Sequence, residues 1–288
     1  MSVRVLRAGL QTTIQSAPRV GLRHLGVPQC GAADPLSMAL ANKLVGNPLQ
    51  APALEATLTG LELEFETESW FAIAGAPSDA RLSGKAIDFF VTQHAEAGQV
   101  LRIAAASAGA RVYLAVDGGF AGDDVLGSES TYLPAAFGGH EGRALKDGDQ
   151  VPMRPTDGHL PLITTPPEFR PPVSDSWAIR ACYGADIDKL DAQDRASLFD
   201  TNFVVGNRAD RMGLQLEGPL LRTSSGGRLP SAPVFPGCVQ CPESGEPFLL
   251  SVDAQTTGGY PRVAQVCRAD RHLLGQLRPG SHVRLLER

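Results

Sequence analysis

This 288-residue sequence predicts a mainly β fold with a few short helices, arranged as two β-rich halves. Three observations carry that expectation. Short apolar runs that alternate, or that are rich in β-branched and aromatic residues, are repeatedly cut by glycine. A polar turn with glycine feeds a strand at Gly98-Gln99-Val100, at Gly148-Asp149-Gln150-Val151 and at Gly280-Ser281-His282-Val283, as in small barrels of many short strands. Helical periodicity is confined to a few brief stretches.

Taken in order, Glu62-Leu63-Glu64-Phe65-Glu66 alternates, and Trp70-Phe71-Ala72-Ile73-Ala74-Gly75 is a buried run ending in glycine. Val100–Ile103 and Val112–Val116 read as strands too. One helix is expected from Pro35 to about Val45. Asp34 is its N-cap, Pro35 stands at N1, Leu36, Leu40 and Leu44 form a stripe, Gly46 is the C-cap and Pro48 stops it. A second is expected over Ala192–Phe199 behind Asp191, and a third over Arg271–Leu277 behind Asp270. The prolines at 161, 166, 167, 171 and 172 make residues 155–172 a stiff linker or a surface wrap between halves 1–154 and 173–288. Gln-Thr-Thr occurs at both 11–13 and 255–257, but three residues do not decide between duplication and chance.

Composition narrows the function classes. Charged residues are 20% with a formal net charge of -5, so no basic footprint argues for nucleic acid. No apolar run reaches the roughly 18 residues of a membrane span. The opening Met-Ser-Val-Arg-Val-Leu-Arg lacks a secretory h-region, so the cytoplasm is the expected location. There is no phosphate-binding Gly-x4-Gly-Lys-[Ser/Thr] loop, no biotin-attachment segment and no Gly-x-Ser-x-Gly elbow. The five cysteines are odd in number and widely spread, unlike a disulfide framework. Cys238-Val-Gln-Cys241 has no second pair to complete a zinc site, so it reads as two small half-buried residues, and no metal is expected.

The richest segment is Asp253-Ala254-Gln255-Thr256-Thr257-Gly258-Gly259-Tyr260-Pro261-Arg262, directly behind the apolar Phe248-Leu249-Leu250-Ser251-Val252. A buried strand emptying into such a cluster puts polar groups at the lip of a core, where sites usually lie. Gly258-Gly259 permits positive φ and leaves two N–H groups uncovered, which suits an anion or a polarised carbonyl; a plain turn is the competing reading. Asp253 either orients Gln255 or a base, or caps the turn. Arg211, in Asp210-Arg211-Met212-Gly213, is suited to clamp a carboxylate or phosphoryl group, or else forms a salt bridge with Asp210 or another acid. His24 is either a proton carrier or a histidine holding a loop carbonyl. The other histidines, His159 among them, receive no role.

Gly9-Leu10-Gln11-Thr12-Thr13-Ile14-Gln15, His24-Leu25-Gly26-Val27-Pro28, Gly31-Ala32 with Asp34, and Asn42-Lys43-Leu44-Val45-Gly46-Asn47 follow one another along the first half. Tyr113-Leu114-Ala115-Val116-Asp117-Gly118-Gly119, Leu126-Gly127-Ser128, Gly138-Gly139, Gly142-Arg143, Asp210-Arg211-Met212-Gly213 and the 253–262 run complete the series. Their order and spacing resemble the allophanate hydrolase subunit 2 family. The resemblance implies two cyclophilin-like β-barrel halves packed together. It implies the C subunit of an ATP-dependent 5-oxoprolinase, opening 5-oxo-L-proline to L-glutamate. Its partners would be a B-like protein (subunit 1 of the family pair) and an A-like protein, with ATP bound with or by a partner. The alternatives it carries are a biotin-dependent carboxyltransferase component for urea or a related amide, with biotin on a separate chain, and a regulatory protein that binds a kinase inhibitor. Under the first reading Arg211 and Arg262 hold the acidic groups. Gln255, Thr256, Thr257 and the amides of Gly258 and Gly259 polarise the carbonyl. Tyr260 and Gln11 join the binding set, and His24 and Asp253 join Gln255 as catalytic candidates.

Two segments depart from the family pattern. The usual Gln-Asp-x-Gly-Arg is here Gln15-Ser16-Ala17-Pro18-Arg19, and the usual Val-Pro-Arg-Ser-Gly-Ala-Met-Asp is Val27-Pro28-Gln29-Cys30-Gly31-Ala32-Ala33-Asp34. Because the chain lacks a nucleotide loop of its own, the purified single protein is expected to show no ATPase activity and to gain it only with partners. A phosphate-release assay on the isolated chain checks this, and robust hydrolysis there would refute it.

Overall fold

The computed structural model describes residues 1–156, 161–226 and 228–288; His159 and part of the proline-rich segment lie outside them. The chain divides into two compact units, Met1–Arg19 with Cys30–Val173, and Val20–Gln29 with Ser174–Arg288. Residues 20–29 thus belong with the second half despite their position in the sequence.

In the first unit one six-stranded sheet runs, edge to edge, Gln150–Pro152, Ser2–Arg7, Glu62–Phe65, Val100–Ile103, Ala80–Leu82 and Lys85–Ile87. A five-stranded sheet runs Gln11–Gln15, Ala53–Thr57, Arg111–Val116, Ser69–Gly75 and Thr92–Ala95. Val3, Val5, Ile14, Phe65, Phe71 and Leu114 belong to one buried cluster shared by the two sheets. Arg111–Val116 is buried on both faces because the helix Pro35–Leu44 covers the other side. There Met38, Ala41 and Leu44 meet Ala72, Ala74, Tyr113 and Ala115. The period-2 alternation of the strand sends Leu114 one way and Tyr113 the other.

That helix begins where expected: the Asp34 carboxylate accepts from the Ser37 N–H at 3.0 Å. Two of the three expected leucines face the core, Leu44 buried and Leu40 partly buried against the same cluster. Ser37, Met38, Ala41, Asn42 and Leu44 are buried, while Leu36 is 40% exposed. Small residues face the sheet because helix and strands approach closely there. Val45 is the C-cap, with Gly46 one place beyond at φ 71°. The preceding loop is tied down by a buried polar cluster. The Tyr113 hydroxyl donates to Glu55 (2.7 Å) and accepts from the Asp34 N–H (2.7 Å), and the Ala33 N–H donates to Glu55 (2.9 Å). Burial, then the neighbouring Glu55 charge, push the Tyr113 hydroxyl well above its usual range, so it stays protonated as a donor. Residues 161–173 wrap this unit, with Thr165 N–H donating to Phe90 O at 2.9 Å and Arg170 over the Phe90 ring at 5.4 Å.

In the second unit seven strands close a barrel, in the order Ser176–Tyr183, Arg262–Val266, Cys238–Gln240, Phe248–Leu250, Gly213–Glu217, Asn202–Ala209 and His282–Glu287. The first and last pair in parallel, with Trp177 opposite Val283 and Ile179 opposite Leu285. Trp177, Ile179, Phe203, Leu216, Val239, Leu249 and Leu285 are buried, the inward set of an alternating closed sheet. The helix Ala192–Asp200 is capped by Asp191, which accepts from Asp194 N–H at 2.8 Å. The expected third helix is instead a 3-10 segment over Arg268–Gln276 with no side-chain cap. Among the described residues no helix is long and apolar enough to cross a membrane.

Candidate active site

The turn before the strand Gly213–Glu217 is built by Asp210, whose carboxylate accepts from the N–H groups of Met212 (2.7 Å) and Gly213 (3.0 Å). This turn lies against residues 251–253: Ser251 N–H donates to Met212 O at 2.9 Å, and Asp253 N–H to Arg211 O at 2.8 Å. Between them the Arg211 guanidinium meets the Asp253 carboxylate through two bonds, Nε–Oδ2 at 2.7 Å and Nη2–Oδ1 at 3.0 Å. The two side chains are 4% and 2% exposed. The expected clamp is therefore turned inward. Arg211 commits its planar fork to Asp253, not to Asp210, and neither residue lines the neighbouring hollow. Asp253 holds Arg211 through both carboxylate oxygens.

That hollow, about 590 Å³, opens beside the pair. Its polar wall is Asn207, Arg208, Asp210, Gln240, Gln255 and Tyr260; Met212, Pro242, Phe248 and Leu250 supply apolar surface. Gln240 is buried, accepts from Gln255 Nε2 at 3.2 Å and donates to Tyr260 O at 3.4 Å. Gln255 is held from behind by Arg23, whose Nη2 donates to the Gln255 carbonyl at 2.8 Å and also to Val234 O. Arg208 is braced by Gln215 (Nε–Oε1, 2.7 Å), by Glu246 (3.3 Å) and by the Phe248 ring at 5.7 Å. Among the described residues it is the one cation of this wall.

The glycines of the 253–262 run act otherwise than expected. Neither Gly258 nor Gly259 has positive φ. Gly258 pairs with Ala232 in a two-stranded ribbon, and a Cβ there would meet Gln240 Nε2 at 2.6 Å. A Cβ at Gly259 would lie 3.0 Å from Leu229 O. Close approach, not turn geometry, requires them. Thr257 is exposed in the same ribbon, opposite Pro233, and the Thr256 carbonyl accepts from Val234 N–H at 3.1 Å.

Arg262 also has an internal partner: its Nε and its N–H both meet Asp186 Oδ2, at 2.7 and 3.0 Å. With Gly258 and Tyr260 this pair lines a smaller cleft of about 180 Å³. The hydrogen bond from Arg262 holds the Asp186 carboxyl below its ordinary 3.8, against the opposing pull of burial. His24 is exposed on the 3-10 turn Arg23–Leu25 and lines neither hollow. Gln11 lies in the first unit, opening the strand Gln11–Gln15. Among the described residues no group of three or more His, Cys, Asp or Glu is placed to hold a metal.

Sequence reasoning missed Arg23, Arg208 and Gln240. Gln240 stands inside Cys238-Val-Gln-Cys241, where the flanking cysteines are the more conspicuous signal. Both cysteines are buried, and burial pushes their thiols up to about 12 and about 11. In the first unit the motif residues build a second polar centre. Arg19 is 1% exposed and donates to the carbonyls of Val125 (2.8 Å), Ser128 (2.9 Å) and Ser130 (2.7 Å). Gly138 has φ 72°, and a Cβ there would strike Ser130 O first, ahead of Arg19 Nη2 at 2.6 Å, which accounts for glycine there.

The chain belongs to the family described as carboxyltransferase domain, subdomain A and B, whose model matches residues 25–287. It is 38% identical to the C subunit of 5-oxoprolinase from Escherichia coli, over 99% of this chain and 91% of that protein. To the protein of the same name from Haemophilus influenzae it is 34% identical, over 98% and 90%. Among solved structures it superposes on the Kluyveromyces lactis urea carboxylase with a TM-score of 0.93 at 29% identity, covering 99% of this chain and 27% of that one.

Removing one partner of a buried pair leaves an uncompensated charge, so Asp253→Ala should cost about 3–5 kcal/mol in urea unfolding, with the Arg211→Met/Asp253→Leu double variant losing less. Asp186 gives a pH signature. Its depressed carboxyl contributes stability above the ordinary 3.8 that is lost as pH falls through the folded value. The stability gap between wild type and Asp186→Asn should therefore be flat over about pH 6–8 and close below the carboxylate range; unfolding curves across pH check it.

Proposed function

We propose that the chain is the C subunit of an ATP-dependent 5-oxoprolinase, a cytoplasmic protein that opens 5-oxo-L-proline to L-glutamate with B-like and A-like partners. The observation that carries this is the end-to-end similarity to the Escherichia coli 5-oxoprolinase C subunit, 38% over 99% of this chain and 91% of that protein. The hollow of the second unit supports it chemically. A cyclic amide bearing a carboxylate needs one cation, amide partners and apolar contact, and Arg208, the Gln240–Gln255 pair and Phe248 with Leu250 are such a set.

In this reading Arg208 binds the substrate carboxylate, and the Gln255 amide donates to the lactam oxygen as charge builds there. Tyr260 borders the ring. Arg211 and Asp253 are positioning residues: they fix the turn and the segment that carry Met212 and Gln255. Gly258 and Gly259 let Gln240 and Leu229 approach, and Arg262 braces the ribbon. His24, exposed, receives no role. The hollow does not fit a triphosphate. It offers a single cation, and the N–H of Gly213, the one glycine of its lining, is spent on Asp210. ATP is therefore held with or by a partner. The superposition on a urea carboxylase favours one second reading, a carboxyltransferase component for a urea-like amide, with biotin arriving on another chain.

Reconstitution with the partner proteins tests the assignment. Glutamate formation that consumes ATP and depends on 5-oxoproline is expected; turnover that needs a biotinylated carrier and bicarbonate would overturn it. Within an active complex, Arg208→Ala should raise KM for 5-oxoproline about 10- to 100-fold, as expected for a lost charged hydrogen bond, and should leave a carboxylate-free lactam unaffected.

A further inference from the structure

We propose that Cys182 and Cys267 are a reversible thiol–disulfide couple on the wall of the second unit, a modification site addressed by low-molecular-weight disulfides. Their sulfurs lie 3.8 Å apart across 85 residues of sequence. Cys182 sits on the outward face of Ser176–Tyr183, opposite Gln265 of the neighbouring strand. Cys267 follows two residues later and donates its N–H to Arg180 O at 2.9 Å. The two are thus diagonal neighbours on one face with sulfurs already in contact, and closing to the ~2.05 Å of a disulfide draws the two backbones together as well as turning the side chains.

Access supports the same pair. Cys182 is exposed and Cys267 half-buried, whereas Cys30, Cys238 and Cys241 are enclosed. Of the nearby cations, Arg180 is paired with Asp270, and Arg288 acts on the Cys182 thiol. The hydrogen bond to Cys267 raises the Cys182 thiol, which suits the resolving role.

The steps balance. The Cys267 thiolate attacks one sulfur of the small disulfide and expels a thiolate, leaving a mixed disulfide on the protein. Cys182 gives its proton to solvent, attacks Cys267 Sγ and displaces the second small thiolate. Two electrons pass from the protein thiols to the small disulfide, which leaves as two thiols. The new bond staples the strand to the 3-10 segment Arg268–Gln276, beside the ion pair of Arg180 with Asp270.

The full chain is incubated natively with glutathione disulfide, quenched in acid, alkylated and mapped by peptide mass spectrometry. The expected result is a dithiothreitol-sensitive Cys182–Cys267 cross-link, with a glutathione adduct persisting on Cys267 in Cys182→Ser and much less adduct on Cys182 in Cys267→Ser. The cross-link should raise the thermal midpoint of the oxidised wild type by about 4–10 °C. Complete alkylation of both thiols with no linked peptide, or a cross-link to another cysteine, would overturn the proposal.

Discussion

The contact on which the second unit's hollow depends is the pair of Arg211 with Asp253. Both charges are withdrawn from water, and such a pair repays that cost only with good geometry and further hydrogen bonds to its remaining atoms. Here the fork of Arg211 takes both carboxylate oxygens, and main-chain bonds between 211–213 and 251–253 run alongside. Two segments 42 residues apart in sequence become one rigid lip. Everything on that lip inherits its position: Asp210 and Met212 on one side, Gln255 on the other. A lysine could carry the charge at 211 but could not match two oxygens at once.

The same division of labour appears in the first unit with different chemistry. Arg19 is buried against carbonyl oxygens, and Gly138 makes room for it. Tyr113 and Glu55 hold the loop that precedes the helix Pro35–Leu44. Arg19 keeps one nitrogen, Nη1, without a hydrogen-bond partner, but its three carbonyl contacts and the Tyr113–Glu55 set favour this arrangement of loops, because another would leave still more groups unmet.

How much of this was legible in the sequence follows from what is local. The strands at 62–65, 70–75, 100–103 and 112–116, and the Asp34 and Asp191 caps, depend on a few adjacent residues and were readable. The buried face of Pro35–Leu44 is legible only in part: the i+4 leucines point to Leu40 and Leu44, but not to Ser37, Ala41 and Asn42, which close packing selects. The region 253–262 was found as a polar cluster, but the inward turn of Arg211 was not, since its partner lies 42 residues away. A Gly-Gly pair in sequence suggests freedom of φ, whereas the actual use of 258 and 259 is absence of bulk. Gln240 and Arg208 carried no local signal at all; an ordinary glutamine and a surface arginine become notable only once the strands bring them to one wall.

Arg23 reaches the carbonyl of Gln255 across 232 residues of sequence. The peptide that steadies the far lip of the hollow is therefore synthesised well before the barrel it serves, and it must stay available while the intervening chain is made. It also means that the apparent seam near residue 173 is not a place where the gene divides cleanly. A fragment beginning there would carry the whole barrel and its polar wall, yet would lack the hook that holds Gln255 in register.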